Sequence, residues 1–360
     1  MLFVKKIAVI SCSNGLGHIK RQIVIVSNLL EQNDSIKIDF YCESWQLSII
    51  SDWDTLNNLK NNKSVHFKYK NLPLKWSDKE SYYSEWLLNW HKSLASWNLQ
   101  TYDLVITDNL IEPLYYTKSL LLIGSFLWHD VLNNAFPKSK YVKQYYQNST
   151  NLLLNNPTWM LSNEWFVMPE VLKQTKCVKI GFVPFDERSE IIGKKKEKKN
   201  GLQLLIALGN AINLTENKIV IDLFINYLQF RMDIPHTIMC NNDSYTYLKE
   251  FTNKAVLIDD FSQNTFTESD IVFVRGGIGT ITDCLYHKKP IFYINDSNYE
   301  ISYNQYILSK LKAGFSLDYF IEKDMLVNNI SNDLFSNEIY SNFRMSGARE
   351  AVEFMTHNLI

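Results

Sequence analysis

Residues 6–18, KIAVISCSNGLGH, decide the fold class of the chain. A short apolar run is followed at once by a turn with two glycines, and residues 19–30 then carry apolar side chains at helical spacing. A buried strand, a glycine turn and an amphipathic helix form the opening unit of a doubly wound α/β domain. The apolar run is too short for a secretory signal, so we expect a first strand.

Short apolar runs and longer amphipathic segments alternate along the rest of the chain. This rhythm predicts parallel sheets with crossover helices. The predicted strands are 6–12, 36–42, 65–69, 104–107, 120–126, 202–208, 236–240, 255–259, 271–275 and 290–294. Helices are predicted over 19–30, 84–97 and 337–357. In the second of these, Trp86, Trp90 and Trp97 share one face, which favours a buried stripe over a platform for sugar rings.

The rhythm is interrupted between Gly193 and Gly201, where KKKEKKN contains no large apolar residue. A solvated linker is the favoured interpretation, with nucleic-acid contact as the alternative. We therefore predict two Rossmann-like domains, 1–190 and 201–335. Residues 336–360 are expected to form a C-terminal helix that packs back toward the first domain.

The composition excludes several classes of protein. Of 360 residues, 46% are hydrophobic, which rules out a largely disordered chain. The formal net charge of -1 gives no bulk field for nucleic acid or anionic membrane. Five scattered cysteines, without a Cys-x-x-Cys pair, argue against disulfides and cysteine zinc sites and favour a cytoplasmic protein. The histidines show no metal-ligand spacing, and we predict no metal and no cofactor.

The turn Gly15-Leu16-Gly17-His18 is the first candidate site. Free N–H groups at a helix N-terminus attract anionic or polar substrates. His18 would lie at the carboxyl edge of the sheet, where open α/β sheets bind ligands. A plain glycine turn with His18 as a helix cap is the alternative, and the glycine spacing alone leaves both open.

A denser motif, RGGIGTITD, occupies residues 275–283 after a predicted strand. Three glycines within four residues leave a bare backbone that suits a pyrophosphate at a helix N-terminus. Asp283 follows about one helical turn later, where a carboxylate can bind ribose hydroxyls. It comes too early for the dinucleotide fingerprint, in which the acid lies about 20 residues on. A tight turn without a ligand is the alternative. The predicted pyrophosphate contacts are Gly276, Gly277, Gly279 and Thr280.

Weaker candidates are polar residues near other predicted strand ends and helix starts. Glu300 and Asn304 are four residues apart at the start of a helix and share one face, although an ordinary first turn would look the same. Asp108 and His129 follow predicted strands and would lie at the ligand edge. For His129, a satisfied loop residue is favoured over a ligand contact.

Taken together, these motifs resemble the GT-B glycosyltransferases, in particular the group around the peptidoglycan N-acetylglucosaminyltransferase. The Gly-x-Gly-His opening of that group matches residues 15–18. Its Arg-x-Gly-x-x-Thr-x-x-Glu signature matches Arg275, Gly277, Thr280 and Asp283, with Asp in place of Glu. Its acid-Gln-x-x-Asn segment matches Glu300 and Asn304, with Ile301 at the Gln position, and residues 207–210 match its second glycine loop.

The resemblance implies a GT-B fold, in which two Rossmann-like domains face each other across a cleft. It implies transfer of a sugar, with inversion, from a nucleoside diphosphate sugar, UDP-linked, to a saccharide or lipid-linked acceptor. His18 would be the general base, and main chain near Asp260 and Phe261 would hold the base of the nucleotide. We expect a cytoplasmic protein, with the inner membrane face as an alternative position, and no nucleic-acid partner. The implied substrate contacts are Gly15, Gly17, Gly209, Asn210, Arg275, Gly276, Gly277, Gly279, Thr280, Asp283, Glu300 and Asn304.

A second resemblance competes with the first. Residues 15–21, GLGHIKR, are similar to the opening of the UDP-sugar hydrolase of pseudaminic acid synthesis, where the histidine serves water. Hydrolysis, epimerisation without hydrolysis and simple nucleotide-sugar binding therefore remain alternatives to transfer.

Overall fold

The computed structural model describes residues 5–185, 201–208, 218–231, 234–250, 252–258, 263–326 and 337–360. The linker predicted over 193–200 lies outside them. The chain divides into two compact units. The first comprises Met1–Val183, Asn298–Glu300 and Ser346–Ile360, and the second comprises Pro184–Ser297 and Ile301–Met345.

The first unit is built on a seven-stranded parallel sheet in the order β3-β2-β1-β4-β5-β6-β7. Its strands are β1 (Lys6–Ile10), β2 (Lys37–Cys42), β3 (Val65–Tyr69), β4 (Leu104–Asp108), β5 (Leu120–Ile123), β6 (Trp159–Asn163) and β7 (Lys176–Ile180). The strand order reverses between β1 and β4, which pair directly. Ligands of doubly wound sheets bind beside such a reversal, so residues that follow these two strands are of most interest.

Helices cover this sheet. They are α1 (Gly17–Gln32), α2 (Ser44–Ile49), α3 (Asp54–Asn61), α4 (Glu85–Asn89), α5 (Trp128–Ala135), α6 (Lys140–Asn155) and α7 (Pro169–Gln174). Short 3₁₀ segments add Glu80–Tyr82, Trp90–Trp97, Leu99–Thr101 and Glu112–Tyr115.

The second unit repeats the design with a six-stranded parallel sheet in the order β10-β9-β8-β11-β12-β13. Its strands are β8 (Leu202–Ala207), β9 (His236–Cys240), β10 (Ala255–Leu257), β11 (Ile271–Val274), β12 (Ile291–Tyr293) and β13 (Phe315–Ser316). Its helices are α8 (Lys218–Phe230), α9 (Asn242–Leu248), α10 (Gln263–Glu268), α11 (Ile278–Tyr286), α12 (Tyr299–Lys310), α13 (Leu317–Glu322) and α14 (Asn337–Ser341), of which α12 begins with residues grouped in the first unit. The last helix, α15 (Gly347–Asn358), belongs to the first unit.

Helices α1 and α15 share one apolar core with the first sheet. Ile19 and Ile23 of α1 are fully buried in it, together with Ala351 and Met355 of α15. The C-terminal helix therefore covers the first sheet beside the helix that opens with the glycine turn.

The helix predicted over 84–97 is wrong in its second half. Helix α4 ends at Asn89, and a 3₁₀ segment continues to Trp97. The Ser93 hydroxyl donates to the carbonyl of Trp90 at 2.7 Å, and such local bonds compete with the α-helical ladder. Of the three tryptophans of the predicted stripe, Trp90 and Trp97 are buried and Trp86 is half-buried.

The single terminal helix predicted over 337–357 is also wrong, because α14 and α15 are separate. Gly347 explains the break: its N–H donates to the carbonyl of Phe182 at 2.8 Å. A Cβ atom there would lie 2.3 Å from the carbonyl oxygen of Gly181, so the new helix starts where only glycine fits. The fold also contains β6, β7 and the short β13, which the strand predictions omit.

Candidate functional site

The glycine turn after β1 is held open by side chains from other segments. Gly15 has a φ of 84°, a left-handed conformation that favours glycine, and a Cβ there would meet nothing within 4 Å. Gln46 donates to the carbonyls of Cys12 and Gly15, at 2.9 and 3.1 Å. Asn14 accepts from the N–H of Trp76 at 2.6 Å. Helix α1 then begins at Gly17 without a side-chain cap, so its first N–H groups remain available.

His18 lies in the first turn of α1 and contacts Asp108, the last residue of β4. Its Nδ1 atom is 2.6 Å from Oδ1 of Asp108. The Asp108 side chain is completely buried, whereas 13% of the His18 side chain is exposed. The two residues meet because β1 and β4 are neighbours at the point where the strand order reverses.

Arg21 closes the same cluster from the next turn of α1. Its Nε donates to Oδ2 of Asp108 at 2.9 Å, and its Nη2 donates to both carboxylate oxygens. Burial by itself would raise the pKa of the Asp108 carboxyl, but the charges of Arg21 and His18 outweigh burial and hold that pKa below its ordinary value. Asp108 is therefore an ionised carboxylate with a fixed orientation.

This geometry assigns the tautomer of His18. An ionised carboxylate only accepts hydrogen bonds, so the Nδ1 atom of His18 carries the proton that faces Asp108. The Nε2 atom is then left with a lone pair, and a neutral imidazole of this kind is a general base. The pair can accept a proton from a hydroxyl or from water.

From the sequence, Asp108 was expected at the ligand edge without a role, and Arg21 was noted only as part of the stretch GLGHIKR. The positions of both residues in the sequence could have indicated that they lie close to His18. Arg21 follows His18 by three residues, which puts the two on one helix face. Asp108 ends the strand that a reversed order places beside β1.

The second predicted site, the turn between β11 and α11, consists of bare backbone. Gly276 has a φ of 117°, which only glycine adopts without strain. Gly277 precedes α11 as its N-cap, and a Cβ there would meet nothing within 4 Å. No side chain caps α11, and its first turn contains no acid. Free N–H groups and open space at one helix N-terminus are what an anionic group requires.

Buried amides of α12 brace this turn. Asn304 is fully buried and its Nδ2 donates to the carbonyl of Gly276 at 3.0 Å. Gln305 donates to the carbonyl of Arg275 at 2.6 Å and to that of Ile294 at 2.7 Å. Asn304, which the sequence analysis expected at the sugar, thus holds the glycine turn in its shape.

The remaining predicted residues of this motif and the next lie directly after β11, on α11 and at the start of α12. The Arg275 Nε atom donates to Oδ2 of Asp296 at 2.5 Å, so this guanidinium is committed to an ion pair. Thr280 and Asp283 are half-buried residues of α11, and Glu300 is half-buried in the first turn of α12. Gly209, Asn210, Asp260 and Phe261 lie outside the described residues.

His129 is a satisfied polar residue, as favoured from the sequence, but it lies in the buried first turn of α5 rather than in a loop. It is 1% exposed, and its Nε2 atom lies 2.9 Å from the amide oxygen of Gln174. Burial lowers the pKa of its imidazole to about 4. It is therefore neutral at physiological pH and directed into the protein.

The described residues bring no three His, Cys, Asp or Glu side chains together in a way that would hold a metal ion. Within the same part of the chain, no helix combines the length and apolar character needed to cross a membrane.

No protein-family model and no curated protein matches the sequence. Solved structures do match. The kitacinnamycin glycotransferase superposes with a TM-score of 0.69 at 12% identity, covering 99% of each chain. The glycosyltransferase VinC in complex with dTDP gives 0.56 at 11% identity, covering 98% of this chain and 96% of VinC. UGT89C1 of Arabidopsis thaliana, complexed with quercetin, gives 0.65 at 10% identity, covering 98% of this chain and 99% of that one.

These similarities extend over both units and establish the fold. The chain has the GT-B fold, built from two Rossmann-like domains, and this prediction is confirmed.

Proposed function

We propose that this protein is a glycosyltransferase that moves a sugar from a nucleoside diphosphate sugar to an acceptor hydroxyl. The observation that carries the proposal is the pair of His18 and Asp108 at the strand reversal of the first sheet, with Nδ1 and Oδ1 2.6 Å apart. The GT-B fold adds support, because its solved examples include glycosyltransferases.

In the proposed reaction, Nε2 of His18 removes the proton of the acceptor hydroxyl as its oxygen attacks the anomeric carbon. A new glycosidic bond forms, the bond from that carbon to the diphosphate oxygen breaks, and the configuration inverts. Asp108 stabilises the imidazolium that results. Positioned proton transfer of this kind contributes roughly 10²–10⁴-fold to a rate.

The turn at 276–280 is proposed to hold the diphosphate. The uncapped N-terminus of α11 and the open space at Gly277 suit an anion whose negative charge grows as it leaves. The backbone N–H groups at this helix N-terminus would stabilise the negative charge of the leaving diphosphate, as a divalent metal does in other folds. The reaction is therefore expected to persist in EDTA. Asp283 would bind the ribose, and Glu300 the sugar.

We favour UDP as the nucleotide and a saccharide or lipid-linked acceptor, as in the peptidoglycan group that the motifs resemble. The protein would act in the cytoplasm, with contact to the inner membrane face where the acceptor is lipid-linked. Ile301 is buried against Gly276 in place of the Gln of that group, so the donor sugar is expected to differ.

Hydrolysis of the nucleotide sugar is the second candidate. Arg21, the last residue of the hydrolase-like stretch at 15–21, makes two-pronged contact with Asp108, so the stretch acts as one unit around the proposed base.

The deciding experiment incubates the purified protein with UDP-sugars and dTDP-sugars, with and without a panel of sugar and lipid-linked acceptors. Transfer predicts release of nucleotide only with acceptor, and a product of inverted configuration by NMR. Free sugar without acceptor would establish the hydrolase. Tight nucleotide binding without turnover under any condition would contradict both.

A further inference from the structure

A cavity of about 290 Å³ lies on one face of the first sheet, beneath the crossover from β3 to β4. This crossover contains the 3₁₀ segments rather than one long helix, and Asn98 between them has a φ of 51°. The cavity is lined by Lys6, Tyr41, Lys68, Lys70, Ser96, Trp97, Asn98, Thr101 and Tyr102. Its walls belong to the sheet face, whereas His18 and Asp108 lie at the carboxyl edge.

A buried carboxylate lies beside the cavity. Asp39, in the middle of β2, is 5% exposed. Its Oδ2 atom accepts from the Tyr102 hydroxyl at 2.5 Å and from Lys68 at 2.8 Å, and Lys6 lies 3.5 Å away. Both ammonium groups therefore converge on one oxygen at the surface of the cavity.

The cluster has more positive than negative charge. Lys6, Lys68 and Lys70 line the cavity, and Asp39 is the acid that contacts two of them. Lys70 forms no ion pair with any described residue. Asp103 accepts from the backbone N–H of Lys6 but does not line the cavity. The lining and Asp39 together have a formal excess of two positive charges.

The aromatic wall is rigid. Tyr41 and Trp97 stack with centroids 4.5 Å apart and ring planes at 9°. The hydroxyls of Tyr41 and Tyr102 are 2.8 Å apart, and Lys68 Nζ lies 3.4 Å from the former. A charged group on a sheet face costs desolvation energy that apolar residues would avoid. A ligand that needs these charges accounts for their presence there.

We propose that this cavity binds a phosphomonoester. A phosphate ester carries about -1.5 to -2 charge at pH 7, which balances the excess of the cluster. Lysines bind phosphate as point charges, and the tyrosine, serine and threonine hydroxyls can donate to its remaining oxygens. The volume of about 290 Å³ lies just below the range for ligand pockets, about 300–1,000 Å³, which restricts the ligand to a small one. This site is independent of the proposed transfer reaction.

Calorimetric titration with inorganic phosphate and with glycerol 3-phosphate tests the proposal. Lys70→Gln is the informative variant, because Lys70 is exposed and its loss leaves the contacts of Asp39 intact. Lys63→Gln removes the same charge from an exposed position outside the cavity and is the matched control. We expect saturable binding that weakens about tenfold in Lys70→Gln and is unchanged in Lys63→Gln.

Vesicles with and without phosphatidic acid separate a lipid headgroup from a soluble ester. Binding of glycerol 3-phosphate alone identifies a soluble ligand, and Lys70-dependent binding to phosphatidic acid vesicles identifies a lipid one. Either result supports the site. No saturable binding, or equal affinities in the two lysine variants, would overturn it, and neither outcome bears on sugar transfer.

Discussion

The glycine turn of the first unit and that of the second are built alike but offer different chemistry. Each follows a parallel strand next to the reversal of strand order and leads into a helix without a side-chain cap. Around the first turn, charged side chains converge on Asp108. Around the second, Gly276 and Gly277 expose backbone, and the nearest charged side chain of the turn, Arg275, is engaged by Asp296.

The difference indicates which part of the proposed reaction each unit would carry out. A proton must be moved by a titratable side chain, and that side chain needs partners that hold it in place. A diphosphate can be held by backbone N–H groups alone, provided that no Cβ atom occupies its space. Substitutions at the first turn should therefore impair turnover, and substitutions at the second should impair binding.

The largest effect is expected from His18→Ala, which should lower kcat about 10²–10⁴-fold and leave UDP affinity nearly intact. The reason is that, in the proposed reaction, the imidazole takes the proton, whereas the nucleotide is bound by residues of the second unit. Steady-state assays of sugar transfer measure kcat, and calorimetry measures the affinity for UDP. His66→Ala, at an exposed position of β3, is the control. A stable His18→Ala protein with wild-type kcat would contradict the comparison.

Asp283→Ala should have the opposite signature. Ribose hydroxyls would lose a charged acceptor worth about 1.5–3 kcal/mol, which weakens UDP binding about ten- to a hundredfold. Calorimetry measures this loss, with Asp318→Ala, an exposed acid in the same unit, as the control. Unchanged UDP affinity would remove Asp283 from the site.

Substitutions of two neighbouring glycines test what the backbone of the second turn contributes to stability. Gly276→Ala should lower the free energy of unfolding by about 1–3 kcal/mol, since alanine is strained at a φ of 117°. Its Cβ would also lie 3.2 Å from Cγ of Gln305. Gly277→Ala should cost less, about 0.5–1 kcal/mol, because its φ is -65° and its Cβ points into open space, so that only the poorer N-cap preference of alanine acts.

UDP affinity then tells whether that open space is the diphosphate site. Gly277→Ala should weaken UDP binding by more than its small loss of stability explains, as measured by calorimetry and urea unfolding on the same preparation. A Gly277→Ala protein that binds UDP as tightly as wild type would place the diphosphate elsewhere.

Local features of the fold could be predicted from the sequence, and distant pairings could not. The two glycine turns depend on neighbouring residues, so their pattern is visible in the printed chain. The contact of His18 with Asp108 joins residues 90 positions apart, and it requires the order of the strands. Asn304 was expected at the sugar from the resemblance of its segment to the acid-Gln-x-x-Asn motif, but the packing of α12 against the turn directs it to Gly276.

The smallest effect is expected from Arg21→Gln, which tests whether the first turn works through charge or through position alone. The charge of Arg21 lowers the pKa of the buried Asp108 carboxyl. Without it this carboxyl takes up a proton at higher pH, so the acid limb of the kcat profile should move toward higher pH, with kcat recovered above that limb.

Acid unfolding gives an independent measure of the same charge. Burial opposes ionisation of Asp108, and the charges of Arg21 and His18 lower its pKa in the folded state, so its contribution to stability is present above the ordinary carboxyl range and lost as pH falls. Arg21→Gln should raise the pH at which this loss occurs. Arg21→Lys keeps the charge but loses the two-pronged contact, and it should restore both the profile and the acid stability. If Arg21→Gln and Arg21→Lys both lower kcat equally at every pH, Arg21 only orients Asp108. In that case the charge of Arg21 is not part of what distinguishes the first turn from the second.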